Sequence, residues 1–169
     1  MRKRLTRVLL KLFKFRLQTI GIPVIIINKN KEILLGKRKK NPAFYPGFWG
    51  LPGGILDYGE KLTECVKRET KEELGVVVEV VKQSKKIYEV FPSKDYPFHT
   101  LAIVFYAKIV KGIPKPEDET QEVKWFKPSE IKRMKLAYNH NEILKEEGLV
   151  KWIQKFCVFV QWEETEANI

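Results

Sequence analysis

Residues 54–76 read GILDYGEKLTECVKRETKEELGV, and the interpretation of the rest of the chain depends on this stretch. Residues 64–74 have helical character. Thr63 is the predicted N-cap, and Gly75 is the predicted residue just beyond the C-terminus, where a left-handed conformation is common. The stretch therefore predicts one helix of about three turns that follows a glycine-containing loop.

Three glutamates, Glu69, Glu72 and Glu73, fall on one side of this predicted helix. On a helix that advances about 100° per residue they lie within an arc of about 100°. Like charges at this spacing destabilise an isolated helix by roughly 0.2–0.5 kcal/mol per pair. Three glutamates alone would indicate a solvated acidic face, whereas a divalent cation held among their oxygens would relieve the repulsion. Mg²⁺ suits such a site because it prefers oxygen ligands, including substrate phosphates.

The fixed positions around the glutamates favour the metal site. The pattern is a glycine, five residues, Glu, seven residues, Arg-Glu, two residues, Glu-Glu, one residue, Gly and an apolar residue. It resembles the Nudix box without departure, and Thr70 at an apolar position is a mild variation. The order of predicted elements around the box also resembles the Nudix α/β/α sandwich. The resemblance implies a single α/β domain with a mixed sheet that cleaves, with Mg²⁺, the diphosphate bond of a nucleoside diphosphate linked to another group.

The resemblance also implies roles for individual residues. The implied metal ligands are the carbonyl of Gly53 and the carboxylates of Glu60, Glu69, Glu72 and Glu73. The implied ion is Mg²⁺, with Mn²⁺ as the alternative. Arg68 would orient Glu69, and one of the helix glutamates or a loop carboxylate would act as general base. The best loop match is Glu119, six residues before Trp125, with Glu117 and Glu122 in contention; an ordinary acidic loop is the alternative.

Five residues before and at the beginning of the box are predicted to contact substrate. These are Lys37, Arg38, Phe44, Tyr45 and Gly54. The two basic side chains would bind phosphate, although a solvated strand end is the alternative. An aromatic ring would stack on a base, an interaction worth roughly 1–3 kcal/mol, although such rings are more often part of the core.

Two weaker features bear on the substrate. Pro92 lies sixteen residues beyond Val76, and residues 136–144 read LAYNHNEIL; both resemble the ADP-ribose pyrophosphatase subgroup. We therefore expect ADP-ribose to be cleaved to AMP and ribose 5-phosphate. The alternatives are nucleoside triphosphate or RNA 5′ pyrophosphohydrolysis, or a non-catalytic nucleotide-binding module. His99 and His140 have no nucleophile partner and are interpreted as structural or peripheral.

The rest of the chain predicts a strand-rich domain. Strands are predicted over 22–27, 32–38, 49–51, 76–81, 86–90, 99–110 and 123–126, and helices over 128–134 and 141–156. The predicted organisation is a basic arm over 1–18, a Nudix domain over 19–156 and a tail over 157–169. Two distant cysteines support neither a disulfide framework nor a zinc site, which favours the cytoplasm.

The charge of the chain is concentrated near its beginning. The net charge is +11, and residues 2–16 hold seven basic side chains and no acidic one. Apolar residues recur in this arm at helical spacing, which permits an amphipathic basic helix on RNA or an anionic membrane. The alternative is that the arm packs on its own domain or on a second subunit. The expected partners are a nucleotide substrate and, in a homodimer, a second copy of the chain.

Overall fold

The computed structural model describes residues 18–40 and 44–149. The strands within them are β1 (Gln18–Ile26), β2 (Ile33–Arg38), β3 (Trp49–Gly50), β4 (Gly53–Ile55), β5 (Val77–Val90), β6 (His99–Lys111) and β7 (Thr120–Phe126). The helices are α1 (Leu62–Leu74), α2 (Pro128–Ile131) and α3 (His140–Glu146). No helix in the described part of the chain is both long enough and apolar enough to cross a bilayer.

The strands form two sheets, in the orders β4-β1-β6-β5 and β3-β2-β7. β1 is parallel to β6, whereas its pairing with β4 is antiparallel, so the larger sheet is mixed. The continuous apolar run of β1 is explained by burial on both faces. Ile25 packs into the core that includes Leu35 and Ile143, and Ile22 and Val24 pack into the core beneath α1. The predicted mixed α/β fold is confirmed.

The helix of the decisive stretch begins earlier than predicted. Lys61, with extended backbone angles, is its N-cap and makes no side-chain capping bond, so the prediction of Thr63 as N-cap is wrong. The carbonyl of Lys61 accepts hydrogen bonds from the amides of Glu64 and Cys65, which places Thr63 inside the first turn. At the other end Gly75 adopts the predicted left-handed conformation, with φ of 66°. The buried hydroxyl of Thr70 is satisfied by the carbonyl of Val66 at 2.8 Å.

Three further predictions of local structure are corrected. The segments 76–81 and 86–90 belong to one strand, β5, because bulges between them accommodate the polar residues without ending the pairing with β6. The glycine loop contains an unpredicted short strand, β4. The helix predicted over 141–156 is interrupted after Glu146, where a turn leads to Gly148 with φ of 60°. Residues 150–156 of that prediction lie outside the described residues.

The C-terminal end of α3 is fixed to the larger sheet by one carboxylate. Glu147 accepts hydrogen bonds from the hydroxyl groups of Ser84 at 2.5 Å, Tyr88 at 2.7 Å and Tyr106 at 2.5 Å. Burial disfavours the charged form of Glu147, but these hydroxyl groups outweigh burial and hold its pKa below the ordinary value. α3 is therefore held at a fixed position against β5 and β6.

We predict that Glu147→Ala lowers the free energy of unfolding by about 2–3 kcal/mol at neutral pH, because buried hydroxyl groups lose a charged acceptor. Since the folded-state pKa is depressed, the stabilisation is present above the unfolded pKa and is lost as pH falls through the folded pKa. Urea denaturation at pH 7 and at pH 3 measures both effects. Glu146→Ala is the matched control, because Glu146 is exposed and pairs with Lys86 at the surface, and an equal loss in the two variants would contradict the prediction.

Candidate active site

The glycine turn between β3 and α1 approaches two carboxylates of the helix at close range. Gly53 has φ of 127°, and a Cβ there would lie 2.0 Å from the carbonyl oxygen of Ile22. A Cβ on Gly54 would lie 2.3–2.6 Å from the carboxylate atoms of Glu69. Only glycine satisfies the backbone conformation at position 53, and a side chain at position 54 would displace Glu69. The turn therefore brings bare backbone against the acidic face of α1.

Glu73 makes the direct contact between helix and turn. The amide of Gly53 donates a hydrogen bond to Glu73 Oε2 at 3.0 Å. Burial, reinforced by the negative charges of Glu69 and Glu119, raises the pKa of Glu73 to about 8; the Gly53 hydrogen bond and the charge of Arg38 offset this only in part. Glu73 is thus a carboxyl group whose ionised form lacks full compensation from the protein.

Arg68 is the centre of an ion-pair network on the neighbouring side of α1. Its Nε and Nη2 donate to the two oxygens of Glu60 at 2.8 and 2.9 Å, and its Nη1 donates to Glu69 at 2.6 Å. The hydrogen bonds from Arg68 lower the pKa of Glu60 to about 2. Glu72 is half exposed and lies 3.4 Å from the same guanidinium. Arg68 is therefore placed where it can orient Glu69, as the resemblance implied.

The loop before β7 carries Glu119, whose partner Arg38 is the last residue of β2. Glu119 Oε2 lies 3.3 Å from Arg38 Nη2, and both charges act on Glu73. The other two glutamates in contention pair with lysines: Glu117, in the same loop, with Lys115 at 2.7 Å, and Glu122, in β7, with Lys37 at 3.6 Å. Of the three glutamates in contention, Glu119 is the one whose charge is felt at Glu73. Lys37 lies beside Glu122 and the Trp49 ring.

An aromatic cluster lies beside Arg38. The carbonyl of Phe44 accepts a hydrogen bond from Arg38 Nε at 2.9 Å, and the Tyr138 ring lies 5.6 Å from the guanidinium carbon. Tyr45 and Tyr138 pack with their ring centroids 4.6 Å apart, and each has positive φ, 50° and 53°. Tyr96 completes the cluster through edge contacts with Phe44 and Tyr138. Tyr96 and Tyr138 were not predicted from the sequence; the only signal was the place of Tyr138 within residues 136–144.

His140 lies on the far side of the glycine turn from α1. Its Nδ1 accepts a hydrogen bond from the amide of Leu51 at 3.0 Å, and 8% of the residue is exposed. Burial, with a smaller contribution from the charge of Arg38, lowers the pKa of His140 to about 3. The ring is therefore neutral at physiological pH, with its proton on Nε2, because Nδ1 is the acceptor.

Carboxylate and backbone oxygens at this site are donors of the kind that a divalent cation needs. Within residues 18–40 and 44–149, no three acidic, histidine or cysteine side chains stand close enough together to hold a metal ion. Glu69 and Glu72 both pair with Arg68, and Glu69 and Glu73 face the glycine turn. These two carboxylates and the turn's backbone are hard oxygen donors of the kind Mg²⁺ prefers. A cation there would also supply the positive charge that buried Glu73 lacks.

Comparison with known proteins gives the family. The model of the NUDIX domain matches residues 17–146. The chain belongs to the Nudix family. The family, fold class and enzyme class predicted from the sequence, a Nudix pyrophosphohydrolase, are confirmed.

Relatives and solved structures agree with this membership. The ADP-ribose pyrophosphatase of Methanocaldococcus jannaschii is 37% identical over 123 residues, which cover 72% of this chain and 68% of that protein. The NAD-capped RNA hydrolase NudC of Pseudomonas aeruginosa is 33% identical over 105 residues, which cover 61% of this chain and 34% of that protein. The chain thus matches about a third of NudC. The crystal structure of a MutT protein from Methanosarcina mazei superposes with a TM-score of 0.64 at 26% identity, covering 83% of this chain and 96% of that one.

We predict that Glu73→Gln stabilises the metal-free Nudix domain at alkaline pH. The folded-state pKa of Glu73 is about 8 against an ordinary value of 4.5, so the cost of burying its charge grows as pH rises from 4.5 and is complete above 8. Glutamine removes that cost and retains an oxygen that can accept the Gly53 hydrogen bond. Urea denaturation with a chelator at pH 5 and pH 9 measures the difference.

Glu72→Gln is the control for this experiment, since Glu72 is half exposed. We expect the stability difference between Glu73→Gln and the wild type to increase with pH and, at pH 9, to exceed the gain from Glu72→Gln. A Glu73→Gln difference that did not change between the two pH values would contradict the placement of Glu73.

Proposed function

We propose that the protein hydrolyses the diphosphate bond of a nucleoside diphosphate linked to another group, with Mg²⁺ as cofactor, and that its substrate is ADP-ribose, cleaved to AMP and ribose 5-phosphate. The observation that carries the proposal is the convergence of Glu69 and Glu73 on the Gly53–Gly54 turn, with Arg38 and Glu119 on the opposite side. The similarity to the ADP-ribose pyrophosphatase of M. jannaschii favours this substrate among nucleoside diphosphate derivatives.

The proposed metal site uses residues that the fold already holds together. The cation would be held by Glu69, Glu73 and the carbonyl of Gly53. Glu72 would become a further ligand once it leaves Arg68. Glu60, fixed by two hydrogen bonds from Arg68, would support the site. Mn²⁺ is the expected substitute. When bound, such an ion neutralises phosphate charge and lowers the pKa of a water molecule.

The remaining residues of the proposed mechanism bind substrate and move a proton. Glu119 would accept the proton of the attacking water, because Glu69 and Glu73 are committed to the cation. The guanidinium of Arg38, which holds Glu119 at 3.3 Å, would also bind a phosphate oxygen. Phe44 and Tyr45, in the aromatic cluster, would contact the base of the substrate. Lys37, beside Glu122, would bind a phosphate at the edge of the site.

A groove beside α1 offers space for the remainder of the substrate. It encloses about 840 Å³, and its walls include Arg68 and Glu72 together with Lys67, Lys71 and Lys115. The lining carries four acidic side chains as well, so its formal charges balance: Glu60, Glu64, Glu72 and Glu117. We propose that a phosphate or ribose hydroxyl of the substrate contacts this wall.

A second candidate is hydrolysis at the 5′ end of RNA. The similarity to NudC favours it, as do the seven basic side chains of residues 2–16, which would contact phosphates. Residues 1–17 of the arm lie outside the described residues. Its other two roles, contact with an anionic membrane and contact between the subunits of a homodimer, are likewise proposals. A nucleotide-binding module without turnover is disfavoured because the box retains every glutamate that is proposed to hold the cation.

Product analysis with Mg²⁺ tests the proposed function. We predict that AMP is released from ADP-ribose faster than nucleoside triphosphates become monophosphates and faster than NAD-capped RNA is cleaved. Glu69→Gln and Glu73→Gln should each reduce the rate by at least about 100-fold, because each removes a group that acts on the reacting diphosphate. Glu79→Gln is the matched control, since exposed Glu79 pairs with Lys108 on the sheet. A faster rate on triphosphates or capped RNA would overturn the choice of ADP-ribose, and full activity of Glu73→Gln would overturn the site.

Removal of residues 1–16 tests the arm. If the arm contacts phosphates, the truncated protein should lose retention on RNA or on anionic vesicles at low salt, because seven basic side chains are removed. Hydrolysis of ADP-ribose should be unchanged. Loss of a dimer in sedimentation, with retention unchanged, would instead assign the arm to subunit contact.

A further inference from the structure

The segment that contains the proposed carbonyl ligand is held by three consecutive residues. The amide of Leu51 donates to His140 Nδ1 at 3.0 Å, and the carbonyl of Pro52 accepts from the amide of Val24 at 2.8 Å. The amide of Gly53 then donates to Glu73 at 3.0 Å. The Pro52 carbonyl is held by β1 and the Gly53 amide by α1, the elements that form the site. The Leu51 amide is held by His140, whose side chain is not part of the proposed metal or substrate site.

His140 completes the outer edge of β3, which no strand covers within residues 18–40 and 44–149. On this edge the carbonyl of Trp49 accepts a hydrogen bond from the amide of Ala137 at 2.8 Å, and Trp49 forms a parallel bridge with Leu136. The next polar group on the edge is the amide of Leu51, which the imidazole takes as its donor. The backbone after Ala137 turns into α3, so the histidine ring provides the acceptor that a continuing strand would have provided.

The surroundings leave little freedom to the ring. A Cβ on Gly50 would lie 3.0 Å from His140 Nδ1, so the ring is packed directly against bare backbone. Asn141, the next residue, is fixed by hydrogen bonds to the amide of Leu136 and the carbonyl of Met134, both 2.8 Å. At the other end of α3, Glu147 is held by three hydroxyl groups. The position of the acceptor is thus set by both ends of the helix.

We propose that His140 is a positioning residue for the active site: its imidazole fixes the amide of Leu51 and thereby the orientation of the Gly53 backbone toward Glu73. The inference rests on the proposed metal-dependent hydrolysis for its consequence in turnover, but not for its consequence in structure. Only Pro52 stands between Leu51 and Gly53, so a shift at the Leu51 amide is transmitted along the turn to the backbone that faces Glu73. His140 does not touch the proposed substrate or metal.

Two variants separate positioning from packing. His140→Phe keeps a ring of similar shape and removes the acceptor, whereas His140→Asn retains an acceptor oxygen at a similar distance from the backbone. In the metal-free protein we expect the Phe variant, but much less the Asn variant, to show faster hydrogen exchange at the Leu51 amide and a changed NMR shift of the Gly53 amide. Mn²⁺ affinity, measured by electron paramagnetic resonance, should fall by roughly 10–100-fold in the Phe variant and recover largely in the Asn variant.

His99→Phe is the matched control, since His99 stacks on Phe91 away from the glycine turn. It should leave the exchange of Leu51, the shift of Gly53 and the Mn²⁺ affinity unchanged. In the wild type, a nitrogen–nitrogen scalar coupling between the Leu51 amide and His140 Nδ1 should be detectable, which tests the contact even if the Phe variant fails to fold.

The outcomes distinguish this inference from the proposed function. An unaltered Gly53 shift in His140→Phe, or no coupling in the wild type, would overturn the positioning role whatever the enzyme hydrolyses. If the wild type cleaved no phosphoanhydride but the Gly53 shift responded as expected, the proposed function would fail and the positioning of the turn would stand.

Discussion

The contact between the Gly53–Gly54 turn and the acidic face of α1 is the constraint on which the site depends. The Gly53 amide bonds to Glu73, and the Glu69 carboxylate occupies the space where a side chain of Gly54 would begin. β4 anchors the turn on β1, where Gly53 pairs with Pro23 and Gly54 with Ile22. A displacement of the turn would therefore disturb its pairing with β1 and its contacts with the Glu69 and Glu73 carboxylates of α1.

The charges around this contact are divided between two arginines. Arg68 pairs with Glu60, Glu69 and Glu72 on one side, and Arg38 pairs with Glu119 on the other. Within the described residues neither forms an ion pair with Glu73, which is buried between the two groups and has its pKa raised to about 8. A divalent cation next to Glu73 would supply the missing charge. The proposed chemistry thus follows from an electrostatic deficit at one residue that the fold itself creates.

The decisive stretch predicted much of this from local information. The acidic arc of α1, the glycine that ends it and the apolar run of β1 follow from periodicity and turn chemistry, and the structure bears them out. The N-cap was misassigned because Thr63 has the better capping side chain, although the chain enters the helix at Lys61. The break in the final helix was missed because Gly148 lies within an otherwise helical pattern, in which a single glycine is often tolerated.

The rest of the site could not be predicted because it depends on contacts between distant parts of the chain. Arg38 and Glu119 are 81 positions apart, and Leu51 and His140 are 89 apart, so no spacing rule connects them. The box pattern likewise does not reveal that Glu72 turns to Arg68 while Glu73 faces the turn. His140 has no nucleophile partner in the sequence, and its place beside the glycine turn appears only once α3 packs against β3.

The most direct test of this account is the position of a bound cation. Crystals soaked with Mn²⁺ and measured at its absorption edge should show an anomalous peak within bonding distance of the Glu69 and Glu73 carboxylates and the Gly53 carbonyl. A peak elsewhere on the protein with none at this turn, or no peak under conditions where the enzyme requires the ion, would contradict it.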